Sequence, residues 1–208
     1  LVKNLCNWHK IKPWPRLSQK ATDFMVQNLG ADKWNRESMK LDLYLGLLLL
    51  SRKLAEMDRI TVLNALAEHY TVDLYTRSNC SYIRNVQVHQ GVDYYTDMNK
   101  IFYLSRINLN ITLPSIETGM PQRILDIMGS GGFVLTNYQR EIEDYFEIGK
   151  EIEVFRDLDE LMEKVPYYLS HEEERLQIAM NGYQKVRKCF SYIHQLTHIL
   201  EIVEEDQT

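Results

Sequence analysis

The chain has 208 residues, room for one domain or one and a half, and its 45% hydrophobic and 25% charged content excludes collagenous, disordered and membrane-spanning classes. With 24 Lys and Arg against 29 Asp and Glu, the formal net charge is -5, so broad electrostatic capture of nucleic acid or of an anionic membrane is not expected. Cys6, Cys80 and Cys189 lie far apart without C-x-x-C spacing, which argues against a disulfide framework or a zinc site and for a reducing, cytoplasmic compartment.

Residues 1–35 hold Pro13, Pro15, Trp8, Trp14 and Trp34 in no clean period and predict irregular structure with short helix. The start at Leu1, without initiator Met or signal pattern, suggests a piece of a longer protein. From Arg36 the pattern is helical: Met39, Leu43, Leu47, Leu50 and Leu54 recur at three- or four-residue steps, and Leu45, Leu48 and Leu49 widen the stripe. The run Leu41 to Leu50 is too short to span a membrane. Being apolar nearly all round, it predicts burial against a missing domain or a second copy of the chain. A second helix is expected to start at Asp58 as N-cap.

Strands and helices then alternate. Thr71 to Tyr75, Asn85 to His89, Ile107 to Leu113, Gly132 to Thr136 and Ile152 to Phe155 read as strands, with helices over 97–105, 121–128 and 140–145. Such alternation predicts βαβ crossovers and a mainly parallel sheet with helices on both faces, an α/β Rossmann-like fold. Residues 1–56 are expected to form a helical lead-in to a Rossmann-like domain at 57–208. In the C-terminal third, Asp157 with Glu160 and Ser170 with Glu173 each make a capping-box pattern. The first opens a helix that Pro166 should kink. The second opens a helix burying Leu176, Ala179, Tyr183 and Val186, and a last helix covers about 192–204.

Four groups of residues bear on chemistry. The run Gly129-Ser130-Gly131-Gly132 resembles a phosphate loop, but it ends a helix and opens a strand, the reverse of the order that aims helix N–H groups at an anion. It reads as a helix C-cap and turn. The stronger site begins at the loop 114–120, after which Pro121 opens a helix carrying Arg123 and Asp126 three residues apart on one face. A guanidinium suits a diphosphate, and a carboxylate suits two vicinal hydroxyls of a ribose. Glu117, Thr118 and Gly119 lie in the loop itself. Asp157 and Asp159, read as a metal pair, are better explained by capping, and His194 with His198 lack a third ligand.

The residues Gly91-Val92, the run Tyr103 to Asn110, the segment Pro121-Gln-Arg-Ile-Leu-Asp126 through Gly132 to Asn137, and Tyr167 to Arg175 with Asn181-Gly-Tyr183 resemble the C-terminal domain of group 1 glycosyltransferases of the bacterial spore-maturation type. The resemblance covers about 57–205 and implies a GT-B fold, whose C-terminal Rossmann-like half binds a nucleoside diphosphate sugar. By the same likeness Asp126 matches the carboxylate that holds the ribose, Arg123 and the backbone of Gly119 to Gln122 lie at the diphosphate, and Gly91 and Val92 lie beside the base. Arg77, just past a strand, is a further candidate for the phosphates from its position. The retaining relatives carry a glutamate eight residues before the ribose carboxylate; here that position is Thr118, with Glu117 one place off, which leaves the stereochemical outcome open.

The resulting expectation is a donor-binding domain that serves transfer of a sugar to a glycan, lipid or protein acceptor, with no cofactor and no obligatory metal. The acceptor domain, which would supply the base, is missing from the chain, and Glu117 and His89 are the weak candidates for a catalytic group within it. The alternatives are a nucleotide-sugar epimerase on the same fold and a non-catalytic interaction domain of a glycan-assembly complex.

Overall fold

The computed structural model describes residues 36–113, 116 and 119–205, with side chains described from residue 52 onward except at His198 and Glu205. Two compact units are present, residues 1–90 with 111–117 and residues 91–110 with 118–208. The leucines of 41–50 lie on the backbone of a helix, but their side chains fall outside the described residues.

In the first unit, α1 (Arg36–Ala67) is one uninterrupted helix of 32 residues. This corrects the expectation of a second helix starting at Asp58, which lies inside α1 and is 8% exposed. Neither Pro nor Gly stands between Leu47 and Ala67 to stop the helix. Leu54, Ala55, Val62 and Leu66 form its buried stripe. After it, β1 (Asp73–Thr76) and β2 (Gln87–Gln90) pair in parallel, Asp73 opposite Gln87 and Thr76 opposite Gln90. The segment joining them is held by Asn64 of α1, whose Oδ1 accepts from the Arg84 N–H at 2.8 Å while its Nδ2 donates to the Tyr82 carbonyl at 3.3 Å.

The second unit runs α2 (Met98–Leu104), β3 (Asn108–Asn110), α3 (Gln122–Gly129), β4 (Val134–Asn137), α4 (Ile142–Tyr145), β5 (Glu153–Phe155), α5 (Leu158–Ser170), α6 (Glu172–Cys189) and α7 (Tyr192–Glu205). Its sheet is parallel throughout in the order β3-β4-β5, with Leu109 opposite Leu135 and Thr136 opposite Val154. Strand burial is nearly continuous, as a parallel sheet covered on both faces requires. Ile124, Ile127 and Met128 of α3 pack with Val134, Ile152, Val154, Phe102 and Val186 in one core. The fold is therefore Rossmann-like α/β, as the alternation of elements predicts.

Local corrections follow physical rules. In β3 the polar residues go inward: Asn108 and Asn110 are 7% and 8% exposed. Asn108 Nδ2 donates to the carbonyls of Phe102 and Phe133, and Asn110 Nδ2 to Thr136 Oγ1 at 2.9 Å, so each buried amide has its partners. At the start of α5, Asp157 Oδ1 accepts from the Glu160 N–H at 2.8 Å, as the capping pattern predicts, while the Glu160 carboxylate turns back to the Arg156 N–H at 2.7 Å. Ser170 does not cap α6. Helix α5 continues through Pro166 to Ser170, whose hydroxyl donates to the carbonyls of Pro166 and Tyr167, and a residue in helical conformation cannot serve as an N-cap. The buried face of α6 is Arg175, Ile178, Ala179, Gly182 and Val186; of the expected stripe Ala179 and Val186 are buried and Tyr183 is half-buried, but Leu176 is 57% exposed. Arg175 is accommodated because its guanidinium donates to the Tyr168 carbonyl at 2.7 Å and to Glu172 at 3.1 Å.

Candidate functional site

Helix α3 connects two parallel strands, so its amino end lies at the carboxyl ends of β3 and β4 and its carboxyl end at their amino ends. Ligands of open α/β sheets bind on the first of these sides. The two ends differ in their hydrogen bonding. At the carboxyl end, Gly131 at φ +80 donates to the Met128 carbonyl at 2.9 Å and Gly132 to Ile127 at 3.0 Å, a Schellman motif. Ser130 donates to Asp126 and Ile127. The glycine run is thus a helix cap, and its N–H groups are directed to the helix rather than to an anion.

At the amino end, Pro121 is the N-cap at φ -64 and ψ 136, and it makes no side-chain capping hydrogen bond. The leading N–H groups of a helix have no intrahelical partner, and proline brings no hydroxyl or carboxylate to accept from those of Gln122 and Arg123, which stand at the positive end of the helix dipole. Arg123 is exposed and lies over the Phe102 ring, with Cζ 5.6 Å from its centroid. Asp126 is half-buried one turn later and takes a hydrogen bond from the Tyr94 hydroxyl at 2.8 Å. Among the described residues no ion pair joins Arg123 to Asp126. Each charge is left able to engage something else.

Tyr94 sits in a turn built by Asp93. The Oδ1 of Asp93 accepts from the N–H groups of Tyr95 and Thr96 at 2.9 and 3.0 Å and from the Thr96 hydroxyl at 3.1 Å, and the turn leads directly into α2. The hydrogen bond to Asp126 pushes the Tyr94 phenol above its ordinary pKa, with burial adding to it, so the ring donates its proton throughout the neutral range. Sequence reasoning missed Tyr94. The Asp93-x-x-Thr96 spacing before a helix signals the turn, but nothing local signals a partner 32 residues away.

Of the other expected site residues, Gln122 and Gly119 are exposed and Gly91 and Val92 are half-buried, all in the same unit as Arg123 and Asp126. Glu117 and Thr118 lie outside the described residues. Arg77 and His89 belong to the first unit. Arg77 is exposed just past β1. His89 Nε2 lies 2.6 Å from Asp73 Oδ1, and its ring stacks on Tyr75 with centroids 4.6 Å apart. Asp157 serves as the cap of α5, which explains that residue without a metal.

A second cluster of charge is internal. The Glu153 side chain is 5% exposed and meets Lys164 Nζ at 2.9 Å and the Tyr168 hydroxyl; Lys164 also meets Glu160 at 2.7 Å. Burial, reinforced by the Glu153 hydrogen bond, drives the Tyr168 phenol far above its usual range. For Lys164 burial works against the charge, but its bonds to Glu160 and Glu153 outweigh it and raise the pKa. The cluster fastens α5 to β5 and has a structural role.

The amino end of α3 thus lies on the side of the parallel sheet where ligands of open α/β folds bind. The model of the glycosyl transferase-like family matches residues 52–201, well over half of the chain, and the chain belongs to that family. It is also similar to a protein of Aquifex aeolicus (strain VF5), itself described as uncharacterized, with 27% identity over 103 residues, 48% of this chain and 26% of that protein. Among the described residues no helix is long and apolar enough to cross a membrane.

Proposed function

We propose that this chain is the donor-binding part of a glycosyltransferase of GT-B type, with residues 57–208 holding a nucleoside diphosphate sugar whose glycosyl group passes to a glycan, lipid or protein acceptor. The observation that carries the reading is the amino end of α3, where the leading N–H groups, which Pro121 does not cap, the Arg123 guanidinium and the Asp126 carboxylate belong to one short helix of the family-matched segment. Arg123 and the N–H groups stabilise the diphosphate as negative charge develops on it, which lowers the barrier to departure without requiring a metal. Asp126 accepts hydrogen bonds from the ribose. Gly91 and Val92 lie beside the base, and Gly119 and Gln122 meet the diphosphate. The acceptor and the catalytic base belong to a second Rossmann-like domain.

Thermal unfolding against a panel of nucleoside diphosphates and their sugars tests this. A ligand at 100 times its Kd adds about 2.7 kcal/mol of stability. Turnover of free donor without acceptor would point instead to an epimerase. One observation favours a non-catalytic assembly role as second reading: α7 exposes Tyr192 at 84%, Ile193 at 80% and Leu196 at 59%. The absence of any shift across the panel would move the balance to that reading.

A further inference from the structure

We propose that Tyr94 is the positioning residue of the ribose subsite: its hydroxyl fixes one carboxylate oxygen of Asp126 and leaves the other oxygen to receive the vicinal hydroxyls of a bound nucleoside diphosphate. This deepens the donor-binding reading and rests on it.

The geometry supports a deliberate contact. Tyr94 is 39% exposed, so water alone would satisfy its hydroxyl, yet it reaches Asp126 at 2.8 Å across 32 residues of chain. The turn that presents it is pinned by three hydrogen bonds to Asp93 Oδ1, which fixes the backbone beneath the ring. Its ring also meets Tyr95 edge-on at 5.2 Å. Arg123, the neighbour that would otherwise hold Asp126, lies over Phe102 instead.

A carboxylate offers about four acceptor positions, and Tyr94 takes one, leaving enough for a diol. An unheld aspartate on a helix surface samples several rotamers, and a ligand that needs one of them must select it at a loss of affinity. A donor already in place removes that loss before the nucleotide arrives. Tyr94 is therefore expected to act on recognition of ribose and not on the phosphates.

Calorimetry on the 208-residue chain decides this, using uridine, guanosine and adenosine diphosphates and their 2′,3′-dideoxy counterparts. Wild type should bind at least one ribonucleotide more tightly than its dideoxy form, and Asp126→Asn should abolish that preference. Tyr94→Phe should weaken the ribonucleotide roughly three- to tenfold, the effect of one lost hydrogen bond, with the dideoxy affinity unchanged. Tyr95→Phe should match wild type. Independently of the Phe variant's folding, Tyr94→Gln, which keeps a donor, should retain more of the preference than Tyr94→Leu. A wild-type preference in Tyr94→Phe, or equal behaviour of the Gln and Leu variants, removes the role of Tyr94 while leaving Asp126 in place. No preference in wild type, or no binding of any diphosphate, removes the Asp126 reading and this inference with it.

Discussion

The two ends of α3 invert what their composition suggests. The carboxyl end has three glycines and the look of a phosphate loop, yet Ser130, Gly131 and Gly132 all donate to carbonyls of the helix's last turn. The amino end has a proline, a glutamine and an arginine, and the N-cap Pro121 makes no side-chain capping hydrogen bond. Glycine at the first end answers steric demands. Gly131 adopts the left-handed region at φ +80, and a Cβ on Gly132 would sit 2.5 Å from the Phe102 carbonyl and 2.7 Å from Asn108 Nδ2. An anion site is marked by N–H groups with nowhere to go, and glycine content alone does not reveal them.

Mutations can separate the two ends, and the largest effect is expected at the carboxyl one. Gly132→Ala should destabilise the fold by about 3 kcal/mol, the upper part of the usual range for overpacking, because one of the clashing atoms is backbone and cannot rotate away. Denaturant unfolding measures it, and nucleotide affinity of the folded fraction should be unchanged. Asp126→Asn should do the opposite, weakening nucleoside diphosphate binding by about 1.5 to 3 kcal/mol with little change in stability. Calorimetry that finds equal affinity in a folded Asp126→Asn protein would separate Asp126 from the ribose. Gly131→Ala has space for its methyl, the nearest atom being Tyr103 Cδ2 at 3.4 Å. Only the backbone conformation opposes it, at about 1 to 2 kcal/mol of stability, and ligand binding should be unaffected.

The same contrast shows what was legible in the sequence. Element types and the parallel sense of the strands were, because apolar strands alternating with helices leave few topologies. The cap of α5 was legible because Asp157 acts on a backbone group three residues away. The identical spacing at Ser170 misled, because α5 carries on past Pro166 and overrides the local signal. Inward-facing Arg175, Asn108 and Asn110 were not legible, since each is buried on the strength of partners distant in sequence. At the site, Arg123 and Asp126 were visible as a helix pair. Their separate engagement by Phe102 and Tyr94 depends on tertiary packing that no spacing records.

The smallest expected effect concerns divalent cations. If the amino end of α3 neutralises a diphosphate through its N–H groups, its dipole and Arg123, a metal adds little to binding. The Asp-x-Asp run at 157–159 is the sequence's alternative route, in which a strand ending in acidic residues holds a cation against the phosphates. Asp157 Oδ1 is already engaged, accepting from the Glu160 N–H, and its backbone carbonyl accepts from Leu161. Drawing that carboxylate to a metal would uncap α5, at about 0.5 to 2 kcal/mol. Nucleoside diphosphate affinity should therefore be the same, within about a factor of two, after chelation and after addition of Mg²⁺ or Mn²⁺. Loss of binding on chelation and its restoration by metal would transfer the phosphates from the amino end of α3 to the acidic run. An Asp157→Ala variant would then lose binding along with helix stability, whereas the site described here predicts loss of stability alone.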